Sequence, residues 1–180
     1  MPMIIDEVNK GIDIMLHPGE ATARKMDIRH ALEFYSKLAI IPFVLTVVFY
    51  FVFVNSTLLI IPIVLLIFII VLPVGYFIDA FIYQLFGKFI LRQFTTNYRA
   101  TFSAVVYGSV PSVLFIWLEN IPKIGSIFGL ILGIWSFIVL LFALSNQQKI
   151  SKFTAFVVLL ISVAALVIVV AIILYALHVF

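Results

Sequence analysis

The sequence predicts an all-α integral membrane protein, a bundle of five transmembrane helices with N-terminal amphipathic helices. Three observations predict it. Of 180 residues, 65% are hydrophobic and only 11% charged, whereas soluble domains carry about 25% charged residues. From Leu38 onward the long apolar runs leave no polar outer face for water, and the mean hydropathy of +1.30 says the same of the whole chain. The lysines and arginines, finally, collect in alternate connections, in register with five crossings.

Two regions follow: an amphipathic, cytoplasmic segment over residues 1–37 and a membrane domain over 38–180. Near the start, Ile5, Val8, Ile12 and Leu16 share one helical face, with Asp6, Glu7, Lys10 and Asp13 mostly elsewhere. That spacing predicts an amphipathic helix over residues 3–16, lying along the membrane or the bundle. His17-Pro18-Gly19 interrupts it, because proline disfavours helix in the preceding residue. Asp27 then caps a helix whose Ile28, Leu32, Tyr35 and Leu38 lead directly into the first span. Charges throughout this segment, and no short apolar core with a small-residue cleavage site, mean that it does not read as a cleavable signal peptide.

The predicted spans are 38–54, 58–82, 100–118, 124–144 and 153–178, each an apolar run of at least about 17 residues. Asn55-Ser56-Thr57 joins the first two as a tight hairpin. The tripeptide is formally a glycosylation acceptor, but it sits against the bilayer and reads as a polar turn. With five spans, Lys10, Arg24, Lys25, Arg29, Lys37, Lys88, Arg92, Arg99, Lys149 and Lys152 fall on one side, and only Lys123 on the other. Basic side chains resist translocation, so the N-terminus is expected in the cytoplasm and the C-terminus outside.

Several features stand out within the spans. Ala100, Ala104, Gly108 and Ser112 recur every four residues in span three, as do Gly125, Gly129 and Gly133 in span four. In lipid, small residues let backbones approach closely, so spans three and four are expected to form a tightly packed antiparallel pair; a homodimer contact is the alternative use of one stripe. Pro62, Pro73 and Pro111 each remove a helical hydrogen bond, and Gly75 follows Pro73, which places a bend near residues 70–75. Pro73, Gly75 and Pro111 are therefore hinge candidates, with a static bend as the plainer reading.

Asp79, with Tyr83 one turn on and Gln84 beside it, makes an intramembrane polar patch. Asp79 lies about 30 Å of helix rise from Leu58, near the cytoplasmic boundary and within reach of Lys88, Arg92 or Arg99. A structural ion pair and a functional site remain equally open. His17 and Glu20, and His30 and Glu33, repeat a spacing compatible with metal ligation, yet in so charged a segment they read as solvated helix faces. Without cysteine there is no thiolate chemistry. No nucleotide loop, nucleophile elbow or zinc-protease motif is present. The expectation is a non-enzyme with no cofactor, no metal and no nucleic-acid partner.

Between about residues 76 and 157 a set of short motifs resembles the Yip domain family, in its prokaryotic form. They are Leu85-Phe86-Gly87-Lys88, Tyr107-Gly108-Ser109-Val110-Pro111, Ile121-Pro122-Lys123-Ile124-Gly125, Ile134-Trp135-Ser136 and Ile150-Ser151-Lys152. The turn Leu16-His17-Pro18-Gly19-Glu20-Ala21 suits the prokaryotic branch. The resemblance implies a five-span bundle with a cytosolic N-terminus and a role in membrane organisation or trafficking; eukaryotic members associate with Ypt/Rab GTPases. It supplies no catalytic residue. The chain lacks the eukaryotic Asp-Leu-Tyr-Gly-Pro motif and long N-terminal region, which points to a bacterial or archaeal cell membrane. The expected function is thus a membrane scaffold or adaptor, with membrane lipids and a cytoplasmic protein as partners. The rival is a small transporter, channel or lipid-moving protein using Asp79 and the kinked second and third spans.

Overall fold

In the computed structural model, residues 2–24, 26–53, 58 and 60–179 are described. Helices follow one another: α1 (Pro2–Leu16), the single turn α2 (Pro18–Ala21), α3 (Ile28–Phe53), α4 (Ile60–Ile90), α5 (Tyr98–Phe115), α6 (Gly125–Gln148) and α7 (Lys152–Val179). A 3-10 turn, Ile116–Asn120, prolongs α5. Among the described residues there is no strand. Helices α3 to α7 are long and apolar enough to cross a membrane, and the protein is an integral, multi-pass, all-α membrane bundle. Asn55-Ser56-Thr57 lies outside the described residues.

The helices outrun the apolar spans at one end. Helix α3 begins at Ile28, α4 continues to Ile90 and α6 to Gln148. Hydropathy sees only the hydrocarbon-buried part of a helix, while backbone hydrogen bonding carries the coil on through charged turns. Asp27 starts α3 as expected: its Oδ1 accepts the His30 N–H at 2.8 Å, satisfying a first-turn donor. Asn97 does the same for α5, its side chain accepting the Ala100 N–H at 3.4 Å.

Helix α5 is the axis of the bundle. Of its most apolar stretch 67% is buried, against 17–28% for the other four spans; the others turn most of their surface to lipid. Helix α6 packs along it most extensively, and α3 and α4 flank it. Phe102, Val106, Val110 and Val113 of α5 are almost wholly enclosed.

Helix α1 docks on this core, though not through the face its periodicity singles out. Gly11 and Ile14 are buried, and a Cβ on Gly11 would lie 2.9 Å from Leu38 and 3.2 Å from Leu114. Ile5, Ile12 and Leu16 instead look outward, at 56%, 41% and 66% exposure. Three of the four stripe residues therefore face outward, with Val8 alone packed against the core, and the close approach is made by a glycine whose role no hydropathy pattern reveals.

Helix α4 contains two π-helical stretches, Ile67–Val71 and Leu85–Ile90. In the first, the Leu72 N–H bonds to the Ile67 carbonyl, five residues back. The next carbonyl in that register, Phe68, would need a donor on residue 73, and Pro73 has none. The Tyr35 hydroxyl of α3 supplies it, donating to the Phe68 carbonyl at 2.8 Å. Pro62, by contrast, removes no helical bond: α4 begins at Ile60, and first-turn N–H groups have no intrahelical partner.

Candidate functional site

Every connection at the basic end of the bundle converges on three consecutive amides that close α6: Asn146, Gln147 and Gln148. Gln147 and Gln148 are buried at 2% and 0% exposure. Asn146 Nδ2 donates to the Gly19 carbonyl at 2.8 Å and to Thr22 Oγ1 at 2.9 Å. Gln147 Nε2 donates to the carbonyls of Thr22 and Arg24, at 2.7 and 2.8 Å. These two residues thereby fasten the segment between α1 and α3. From α5, Ser103 donates to the Met26 carbonyl at 2.7 Å and Tyr107 to the Arg24 carbonyl at 3.1 Å.

Gln148 fastens the α4–α5 connection. Its Oε1 accepts the Thr96 N–H at 3.1 Å, and its backbone carbonyl accepts the Thr95 hydroxyl at 2.8 Å. Its Nε2 donates to Thr101 Oγ1 at 2.7 Å and to Gln84 Oε1 at 3.3 Å, and the Thr101 hydroxyl donates to the same Gln84 oxygen. Gln84 closes the ring by donating to the Thr96 carbonyl at 3.4 Å. Buried networks of this kind fix a unique arrangement when every member is partnered, because an unpaired buried amide is costly.

Beside the clamp lies a cavity of about 420 Å³, lined by Met26, Asp27, Thr96, Asn97, Arg99 and Gln147. Its lining is mixed, with Met26 and Ala100 beside the amides and Thr96, and it carries one carboxylate and one guanidinium. Hydrogen bonds from the His30 N–H and ring hold the Asp27 carboxyl below its ordinary range, with a smaller pull from Arg99.

The residues expected to form one patch divide between two places. Gln84 is buried inside the clamp. Asp79, five residues earlier, sits about 140° away around the helix, half-buried, with the phenols of Tyr76 and Tyr83 as its electrostatic neighbours. Among the described residues no ion pair reaches Asp79. The histidines likewise choose partners other than those the spacing suggested. His17 Nδ1 lies 3.2 Å from Asp13 and His30 Nδ1 2.8 Å from Asp27, while Glu33 pairs with Lys37 at 2.8 Å.

The small-residue stripes behave unequally. Ala104 and Gly108 are buried while Ala100 is half-exposed. A Cβ on Gly108 would stand 2.6 Å from Leu140 Cβ of α6, and the hydroxyls of Ser112 and Ser136 are 2.7 Å apart. On α6, Gly125 lies under the Glu119 carbonyl, Gly129 neighbours the Glu119 side chain at 3.5 Å, and Gly133 has nothing within 4 Å. Helix α5 thus meets α6 along Ser136 and Leu140 rather than along the glycines. Pro111 is buried within α5, and Gly75 has open space around it.

What sequence reading missed was the clamp. Its signal was present: three consecutive amides at a helix end, in a chain with few polar residues, beside Thr95-Thr96-Asn97. Against known proteins, a family model described as the Yip1 domain matches residues 12–174, a stretch that contains the clamp and runs into all five spans. No curated protein and no solved structure matches the chain.

Proposed function

The chain belongs to the Yip1 domain family, and from that premise we propose that it is a non-enzymatic membrane scaffold or adaptor serving membrane organisation or trafficking. Its basic end faces the cytoplasm, in keeping with the positive-inside bias, and presents a rigid platform to a cytosolic protein. One observation carries this reading: Asn146, Gln147 and Gln148 bind the N-terminal segment and the α4–α5 connection into a single surface around the cavity that holds Asp27 and Arg99. Their hydrogen-bonding capacity goes to backbone carbonyls and neighbouring side chains, which is the chemistry of holding a shape. A partner loop that inserts an acidic side chain toward Arg99 and offers a donor to Asp27 fits the cavity.

The test is site-specific photo-cross-linking in native membranes, with the reactive residue at Asn97 or Gln93. The expected result is one discrete protein adduct that Arg99→Glu removes without lowering the amount of folded protein. Adducts to lipid alone, or protein adducts indifferent to Arg99→Glu, overturn the platform. Asp79→Asn serves as a second arm: loss of solute or lipid movement in reconstituted vesicles, with the adduct preserved, favours the transport reading.

A further inference from the structure

Between α3 and α4 runs a cavity of about 820 Å³ whose lining changes character along its length. At the basic end it is bordered by Arg29, Glu33 and Ser36; deeper in, by Ala39, Phe43, Phe68 and Ile69. It exists because the two helices part company. Helix α3 touches α4 over Ile60–Val71 and through the edge-on ring pair of Tyr35 and Tyr76, 5.3 Å apart, while the remainder of α4 packs on α5. The walls are open sideways to the bilayer, with Ile40 at 44% and Ile69 at 62% exposure.

We propose that this groove binds a single anionic phospholipid from the leaflet next to the basic end, its phosphate at Arg29 and one acyl chain along Ala39, Phe43, Phe68 and Ile69. Length is the first argument. Arg29 and Phe43 are 14 residues apart on one helix, about 21 Å of rise, which is half the roughly 40–45 Å thickness of a bilayer with its headgroups. The groove therefore covers one leaflet, as a lipid does and a membrane-crossing helix does not.

Charge is the second argument. Glu33 is neutralised by Lys37 at 2.8 Å, and among the described residues no ion pair occupies Arg29. The mouth thus offers a net guanidinium, whose planar fork matches a phosphate. The third argument is that the floor is chemically quiet. The Tyr35 hydroxyl is committed to the Phe68 carbonyl, leaving the depth of the groove to apolar side chains that suit a hydrocarbon chain.

The experiment reconstitutes the full chain in phosphatidylcholine vesicles doped with a phosphatidylglycerol carrying a diazirine in mid-chain, and maps the adducts by mass spectrometry. A matched phosphatidylcholine probe is the comparison. Adducts concentrated on residues 39–43 and 65–69, with about a fivefold excess for the anionic probe, support the site. Arg29→Gln removes that excess and leaves the adduct positions unchanged. Ile69→Trp, at an exposed wall that the fold does not need, blocks labelling by both probes. Adducts spread evenly over the lipid-facing residues of α4 and α7, equal labelling by both probes, or labelling that survives Ile69→Trp overturns it. Loss of the cytosolic adduct at Asn97 leaves this result untouched, so the two proposals fail separately.

Discussion

At the scale of single residues, the fold repairs what proline takes away. The π register of α4 directs the Phe68 carbonyl at Pro73, and the Tyr35 hydroxyl of α3 replaces the missing donor at 2.8 Å. Membrane hydrogen bonds between side chains average about 0.6 kcal/mol and reach about 1.7, so Tyr35→Phe is expected to destabilise by roughly 1 kcal/mol. Pro73→Ala restores a backbone N–H and should make the Tyr35→Phe cost largely disappear; a double-mutant cycle from unfolding in mixed micelles measures this coupling. Equal costs in both backgrounds would sink the account. Asp27 is the second residue-scale case. Its folded-state value is depressed below the ordinary 3.8 by hydrogen bonds from His30. The cap is therefore fully formed at and above that ordinary value and is lost as pH falls through the lower, folded one. A carboxyl NMR titration in micelles should give Asp27 a midpoint below the ordinary carboxylate value, moving only part of the way up in His30→Ala, which removes the ring but keeps the backbone N–H.

At the scale of elements, packing decides which small residues matter. Gly108 has Leu140 at its back, with the Cα of that residue only 3.0 Å from where a Cβ would stand. Gly108→Ala should cost about 1–3 kcal/mol as the helices are pushed apart. Gly133→Ala meets open space and should be neutral or gain up to about 1 kcal/mol from helix propensity; steric-trap unfolding of the two variants compares them. The clamp divides by element in the same way. Gln147→Leu frees the Thr22 carbonyl and leaves that of Arg24 to Tyr107 alone, and should speed trypsin cleavage around Arg24 and not at Arg92. Gln148→Leu frees the Thr96 N–H and leaves Thr101 bonded to Gln84 alone, and should speed cleavage at Arg92 and not around Arg24; if either variant loosens both connections, the clamp is one cooperative unit rather than two grips.

These cases also show what the sequence makes legible. Apolar length is a property of each segment by itself, so the five spans, the Asp27 cap and the antiparallel α5–α6 pair could be read directly. Contacts between segments could not. Gly11 and Ile5 both lie in one amphipathic helix, but only the position of Leu38 and Leu114 decides that the glycine faces inward. The amides after Ser145 look like a solvated helix end until Thr22 and Thr96 are brought to them. Asp79 and Gln84 are neighbours along the chain, yet the helix turns them to different surroundings.

At the scale of the whole molecule, charge and burial together define an axis with two unlike ends. One end gathers the clamp, the cavity of Asp27 and Arg99 and the basic residues of three connections; the other carries Glu119 and Lys123 beside the turn into α6. Basic residues on the first end, retained on the cytoplasmic side during insertion, would place the platform where soluble partners are and the groove in the inner leaflet. The chain has no cysteine, so single cysteines can be introduced and labelled without a background. In intact cells, a membrane-impermeant maleimide should modify Lys123→Cys and spare Arg92→Cys and Lys149→Cys, all three being exposed positions; disruption of the membrane should make the last two reactive. The reverse pattern would put the clamp outside, and with it remove the cytosolic partner and move the proposed lipid site to the opposite leaflet.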